Sequence, residues 1–236
     1  MFFNLPDMRG DEVTLACFYI PSLHDLVLPE KYEGDLSQSD LLDLSNYSIA
    51  AKELMLKRRW VLRQVLARYS GILPVQLDIS RSQDKPRLTS DKISDFNISH
   101  CRDNTFICIT TKGRCGVDLE RIRPISYNSR IISRLQSETE VAPVDISEDF
   151  FCYFWTRKEA IVKFFGEGLL RCAKQYDVTN SKVFKNSAKT EAILYSHKFS
   201  DMYFSVAFEL HHEYLHFYKL DLKSETYSLD ILQTGV

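Results

Sequence analysis

Thr105-Phe106-Ile107-Cys108-Ile109-Thr110-Thr111-Lys112-Gly113-Arg114-Cys115-Gly116-Val117-Asp118-Leu119-Glu120 holds two apolar or β-branched runs separated by Lys112-Gly113. Such runs, broken by a turn glycine, predict strands over 105–111 and 114–120 and a hairpin between them. Working outward, Pro124 closes the second run, and Ser147 with Glu148 or Asp149 can cap a helix that runs to Phe165 before Gly166 and Gly168 stop it. Upstream, Leu54, Val61, Leu62, Val65, Leu66 and Tyr69 recur near helical spacing and predict a helix over about 49–69. Further strands are expected over 13–20, 192–196, 202–210 and 215–222. Strand runs interspersed with two long helices, without regular alternation, predict an α+β fold.

The 236 residues suffice for one large domain or two small ones with a substantial core. With 44% hydrophobic and 26% charged residues, the composition excludes wholesale disorder. Thirty Lys and Arg against 32 Asp and Glu give a formal charge of -2, so the molecule lacks the overall positive field of a nucleic-acid binder and any anion site must be local. No apolar run approaches a membrane span, and the first residues lack a basic region with a long apolar core, so the expectation is a cytoplasmic protein with no membrane or nucleic-acid partner. The six cysteines form no Cys-x-x-Cys pair and several lie in apolar runs, which predicts buried, reduced thiols.

Three features carry chemistry. In a strand, Asp118 and Glu120 project from one face, and paired like charges are tolerated where water or a cation compensates. On the 147–165 helix, Phe151, Trp155, Glu159 and Lys163 form an i, i+4 row that begins aromatic and ends as an ion pair. Between Lys52 and Arg68 stand six basic residues (Lys52, Lys57, Arg58, Arg59, Arg63, Arg68) against Glu53, which reads either as a solvated helix face or as a polyanion patch. The bland readings of the first two are a solvent-facing strand edge and a surface Glu-Lys pair. Taken together, Asp118, Glu120 and Glu159 offer the oxygen-rich set that Mg²⁺ prefers, with cations nearby for phosphates, and phosphate chemistry becomes the leading class. His212 and His216 would share a face only on a helix, and the region around His211 reads as strand and turn.

Gly116-Val117-Asp118-Leu119-Glu120, then Trp155-Thr156-Arg157-Lys158-Glu159-Ala160-Ile161-Val162-Lys163 and Gly166-Glu167-Gly168-Leu169, resemble the motifs of 4'-phosphopantetheinyl transferases of the surfactin-synthetase-activating type. Upstream, Lys85-Pro86 and Phe96-Asn97-Ile98-Ser99-His100 match in order, with Cys101 where the family commonly has Ser. The first fifty and last sixty residues carry no matching motif. The resemblance implies a monomer of two similar α+β halves related by a pseudo-twofold axis, residues 1–115 and 116–236, with coenzyme A in the cleft between them.

It further implies transfer of 4'-phosphopantetheine from coenzyme A to a serine of an apo acyl or peptidyl carrier protein, with release of adenosine 3',5'-bisphosphate. By resemblance, Asp118, Glu120 and Glu159 hold Mg²⁺ on the pyrophosphate, Glu159 takes the serine proton, and Lys163 binds phosphate or the leaving oxygens. Lys85, Ser99 and His100 match positions that hold the nucleotide, and Arg59 with its basic neighbours is assigned to the 3'-phosphate. Two rivals are a Mg²⁺-dependent nuclease or phosphodiesterase, which would usually pair its acids in an acid-x-Lys strand that is absent after Asp118, and a degenerate carrier binder, against which the intact carboxylates argue.

Overall fold

Leu15–Ile20, strand β1, is buried at every position, as an apolar run must be when both faces of its sheet are covered. The computed structural model describes residues 14–81, 85–124, 128–209, 214–222 and 226–233. After β1 come α1 (Gln38–Leu44), α2 (Ile49–Ser70), the short β2 (Ile79–Arg81) and β3 (Pro86–Leu88), then β4 (Asp95–Cys101), β5 (Asn104–Thr110) and β6 (Cys115–Arg121). The chain continues through α3 (Asn128–Leu135), α4 (Glu148–Phe165), α5 (Leu169–Cys172), β7 (Tyr176–Asp177), β8 (Lys182–Lys185), β9 (Ala188–Phe199), β10 (Met202–Glu209), β11 (Tyr214–Asp221) and β12 (Thr226–Gln233). The fold is mixed α+β, and among the described residues no helix is long and apolar enough to cross a membrane.

The two runs expected as a hairpin do not pair. β5 lies between β1 and β4 in a sheet of order β12-β11-β1-β5-β4, whereas β6 is the edge of a second sheet, β6-β10-β9-β8-β7. Lys112-Gly113 is therefore a crossover between sheets. Gly113 takes φ 76°, and the following Arg114 N–H donates to the Glu209 carboxylate of β10 at 3.1 Å, which hands the chain to its new partner. β11 returns late in the chain to lie parallel to β1, so β11 and β12 extend the first sheet.

Period-two alternation in the central strands feeds three cores. Ala16, Phe18, Ile107 and Ile109 pack under α2 through Trp60, Val61 and Val65. Ala192, Leu194 and Ala207 pack under α4 through Phe154, Ile161 and Phe164. The opposite faces, with Cys17, Phe106, Val117, Phe204 and Phe217, close on one another. The order of layers is helix, sheet, sheet, helix. Six free cysteines agree with the sequence: five are buried and Cys101 is partly so.

α4 starts where Ser147 Oγ accepts from the Phe150 N–H at 3.0 Å and ends at Gly166, φ 70°. The basic face of α2 is neither solvated nor a patch over most of its length. Lys57, Arg58, Arg59 and Arg63 are buried, because the acidic stretch before the helix folds back as α1 and supplies partners. Arg63 and Arg59 pair with Asp40, Arg59 also meets Asp43 at 3.4 Å, and Lys57 donates to the His24 carbonyl at 2.9 Å. Lys52 and Arg68 stay exposed.

Candidate active site

The edges of the two sheets meet along β4 and β6, where side chains replace the ladder. The Cys115 N–H donates to Asp95 Oδ2 at 2.9 Å and the Val117 N–H to Asn97 Oδ1 at 2.9 Å. Ser99 Oγ donates to Asp118 Oδ1 at 2.7 Å, and Cys101 Sγ lies 3.7 Å from Glu120 Oε2. Alternate residues of β4 thus satisfy the outer edge of β6 step by step, as buried backbone groups require. The seam carries Asp118 and Glu120 on the face turned to α4.

Lys163 reaches that seam from α4. Its ammonium donates to Asp118 Oδ1 at 2.7 Å, stands 3.4 Å from Ser99 Oγ and 3.9 Å from the Glu159 carboxylate one turn back. Asp118 is 4% exposed, yet its Oδ2 has no hydrogen-bond partner among the described residues. A buried carboxylate oxygen left unpaired is destabilising unless something positive completes it. The close approach depends on Gly116: a Cβ there would lie 2.2 Å from the Ala160 carbonyl oxygen and 2.4 Å from the Phe164 nitrogen. Only glycine lets the α4 backbone lie this near β6.

Burial, and then the Asp118 charge, raise the Glu120 carboxyl above its ordinary range. Burial also raises Glu159, against the pull of Lys163, with Asp118 and Glu120 adding repulsion. For Lys163, burial opposes the charge, but Asp118 and Glu159 outweigh it and the ammonium is raised. His100 is lowered, first by desolvation and then by Arg58 and Lys163 nearby, although the residue as a whole is exposed. Three carboxylates and one cation therefore share a site in which Glu120 and Glu159 are held short of comfortable ionisation.

The β6 and α4 sides of this site fall within a segment of known type. Residues 114–219 match the 4'-phosphopantetheinyl transferase superfamily. The chain is 32% identical over 147 residues to slr0495 of Synechocystis, 31% over 123 residues to HetI of Nostoc, and 30% over 112 residues to AcpT of Escherichia coli. HetI and AcpT are named as 4'-phosphopantetheinyl transferases. The matches cover 58%, 48% and 45% of this chain, and 60%, 52% and 57% of the respective relatives' length. The chain is thus similar to 4'-phosphopantetheinyl transferases over part of its length and spans less than two thirds of these relatives.

Of the residues singled out in the sequence, Asp118, Glu120, Glu159, Lys163 and Ser99 come together at the seam, with His100 adjoining. Lys85 and Arg59 are engaged elsewhere. The Lys85 ammonium is tied to Asp95 and, at 2.6 Å, to the Cys115 carbonyl, and Arg59 faces α1. Its neighbour Arg58 lies beside His100, with Nη2 on the Arg102 carbonyl and a buried Nε that lacks a partner among the described residues. Within Trp155–Lys163, Lys158 turns away from the seam, fully buried, and its Nζ donates to Glu140 at 2.6 Å and to the Ala173 carbonyl at 3.1 Å. His211 and His212 lie outside the described residues, and His216 sits in β11 opposite Ala16, so helical spacing does not apply to it.

Among the described residues no three His, Cys, Asp or Glu side chains stand ready as a metal cage. The donor chemistry nevertheless fits a hard divalent ion: every donor is a carboxylate oxygen, Asp118 Oδ2 is orphaned, and Glu120 and Glu159 repel each other's charge. Next to Glu120, a cavity of about 360 Å³ opens between the end of β6 and the start of α4, floored by Phe151, Cys152 and Trp155 and rimmed by Arg121 and Arg123. Sequence reasoning passed over Asp95 and Asn97 and named Arg58 only among the basic neighbours of Arg59. The first two were signalled by the polar period-two row Asp95, Asn97, Ser99; nothing in the sequence separated Arg58 from Arg59.

Proposed function

We propose that this chain transfers 4'-phosphopantetheine from coenzyme A to a serine hydroxyl of an apo acyl or peptidyl carrier protein, with Mg²⁺, and releases adenosine 3',5'-bisphosphate. The observation that carries the reading is the convergence of Asp118, Glu159 and Lys163 on the β4–β6 seam, with an orphaned oxygen on Asp118. Asp118, Glu120 and Glu159 would hold the ion, which when bound neutralises pyrophosphate charge. Glu159, whose carboxyl is already raised, accepts the serine proton as the serine oxygen bonds to phosphorus. The bond from that phosphorus to the bridging oxygen breaks, and the electron pair leaves on the bisphosphate, where Lys163 stabilises the new charge. His100 and Arg58 hold the nucleotide phosphates; Arg59, spent on Asp40 and Asp43, does not.

The same reading takes residues 1–115 and 116–236 as two related halves around a coenzyme A cleft. Support comes from two five-stranded sheets, each with one long helix on its outer face, although β11 and β12 of the second half complete the first sheet. It also takes the protein to be a cytoplasmic monomer. The test is intact-protein mass spectrometry on a panel of apo-carriers with Mg²⁺ and coenzyme A, where at least one carrier gains roughly 340 Da. No gain on any carrier, with coenzyme A binding intact, favours a carrier binder without transfer.

A further inference from the structure

We infer that Lys85 is a positioning residue for the Asp118 carboxylate and not a ligand of the nucleotide, an inference that rests on the transferase reading above. Lys85 is 5% exposed. Its Nζ donates to the Cys115 carbonyl at 2.6 Å and pairs with Asp95, whose Oδ2 also accepts the Cys115 N–H at 2.9 Å. Lys85 and Asp95 together therefore close both backbone groups of Cys115 on the side turned away from β10. Two of the three ammonium donors are thereby committed to Cys115 and Asp95, and a phosphate that drew the ammonium off Asp95 would leave a mostly buried carboxylate uncompensated.

The position of the clamp gives it leverage over the site. β6 is an edge strand, held on its outer side by β4 side chains and not by a backbone ladder. Cys115 is the first residue of that strand, Val117 is fixed next by Asn97, and Asp118 follows at the hydroxyl of Ser99. The ladder with β10 sets the register of β6; the clamp at Cys115 holds the open side of that strand against β4, where Asp118 meets Lys163, and Gly116 between them sets the depth.

Steady-state kinetics with a carrier accepted by the wild type tests the assignment, using Lys85→Met and the double variant Lys85→Met/Asp95→Asn. The double variant leaves no unpaired charge and retains an acceptor for the Cys115 N–H, so it reports even where Lys85→Met does not fold. Positioning predicts that kcat falls on the order of tenfold to a hundredfold, while KM for coenzyme A and the affinity for adenosine 3',5'-bisphosphate by calorimetry stay within about twofold. A tenfold loss of bisphosphate affinity with kcat retained overturns it in favour of a nucleotide ligand, and wild-type kinetics in both variants overturns it outright. If the wild type transfers to no carrier, the transferase reading fails by itself. Mn²⁺ affinity, read by water proton relaxation in the folded variants, then decides: several-fold weaker binding supports the clamp, and unchanged binding overturns it.

Discussion

Asp118 on β6 and Lys163 on α4 are joined at 2.7 Å across the contact that Gly116 makes possible. A methyl group at residue 116 would meet backbone atoms of α4, which cannot rotate away as a side chain could. Gly116→Ala should therefore push the helix off the strand, lower stability by roughly 1–3 kcal/mol and break the Asp118–Lys163 pair. Urea denaturation measures the first effect and transfer rate the second. Wild-type values for both would mean that the α4 backbone yields without consequence.

Removing the carboxylates one at a time separates site acids from bystanders. Glu120→Ala and Glu159→Ala relieve repulsion and should leave stability unchanged or raised. Asp118→Ala strands the Ser99 hydroxyl and Lys163, and should lower stability by about 1–3 kcal/mol. Transfer should fall on the order of a hundredfold or more in all three. Glu159→Gln keeps shape and one oxygen but loses basicity, so excess Mg²⁺ should rescue it less than Asp118→Asn. Equal rescue would remove Glu159 from the role of base while leaving the ion site in place.

The raised carboxyls of Glu120 and Glu159 also set a pH signature. A carboxyl raised in the folded state binds its proton more tightly there than in the unfolded chain, so stability falls as pH rises from the ordinary carboxylate range through the raised one. Without divalent ions, Glu159→Gln should melt higher than the wild type at neutral pH by roughly 2–4 °C per kcal/mol of relief, and the gap should close on acidification. Mg²⁺ should raise the wild-type melting temperature and narrow the same gap. Differential scanning calorimetry at two pH values decides it; a gap that widens in acid has the wrong sign.

One long helix was legible from its apolar spacing and the other from its cap and stop glycines, and several strands from their apolar and β-branched runs. Pairing was not. The runs on either side of Lys112-Gly113 look like a hairpin because a local pattern cannot report that Glu209, far along the chain, takes the Arg114 N–H. The acids and Lys163 stood out because carboxylates continuing an apolar row need a partner. Lys85 and Lys158 sit in motifs as conspicuous, yet both are buried against Asp95 and Glu140. Residue type and spacing identify a cation but not which carboxylate the tertiary fold brings to it.

Arg58 and Arg59 are adjacent in sequence and point to different tasks. Arg59 is anchored by Asp40 and Asp43 of the α1 region, so Arg59→Gln should lower stability with little change in nucleotide affinity. Arg58 has its Nη2 on the Arg102 carbonyl and lies close enough to His100 to depress the imidazole. If this pair holds the 3'-phosphate, coenzyme A should be preferred over its 3'-dephospho form by the wild type, and Arg58→Gln should erase most of that preference by weakening coenzyme A about tenfold or more, the scale of one charged hydrogen-bonded contact. Substituting Arg58 should leave the 3'-dephospho form nearly unaffected, since it has no group there to lose. Competition between the two forms, followed by mass spectrometry of the carrier, reads the preference directly. A preference kept in Arg58→Gln but lost in Arg59→Gln would return the 3'-phosphate to the residue the sequence first suggested.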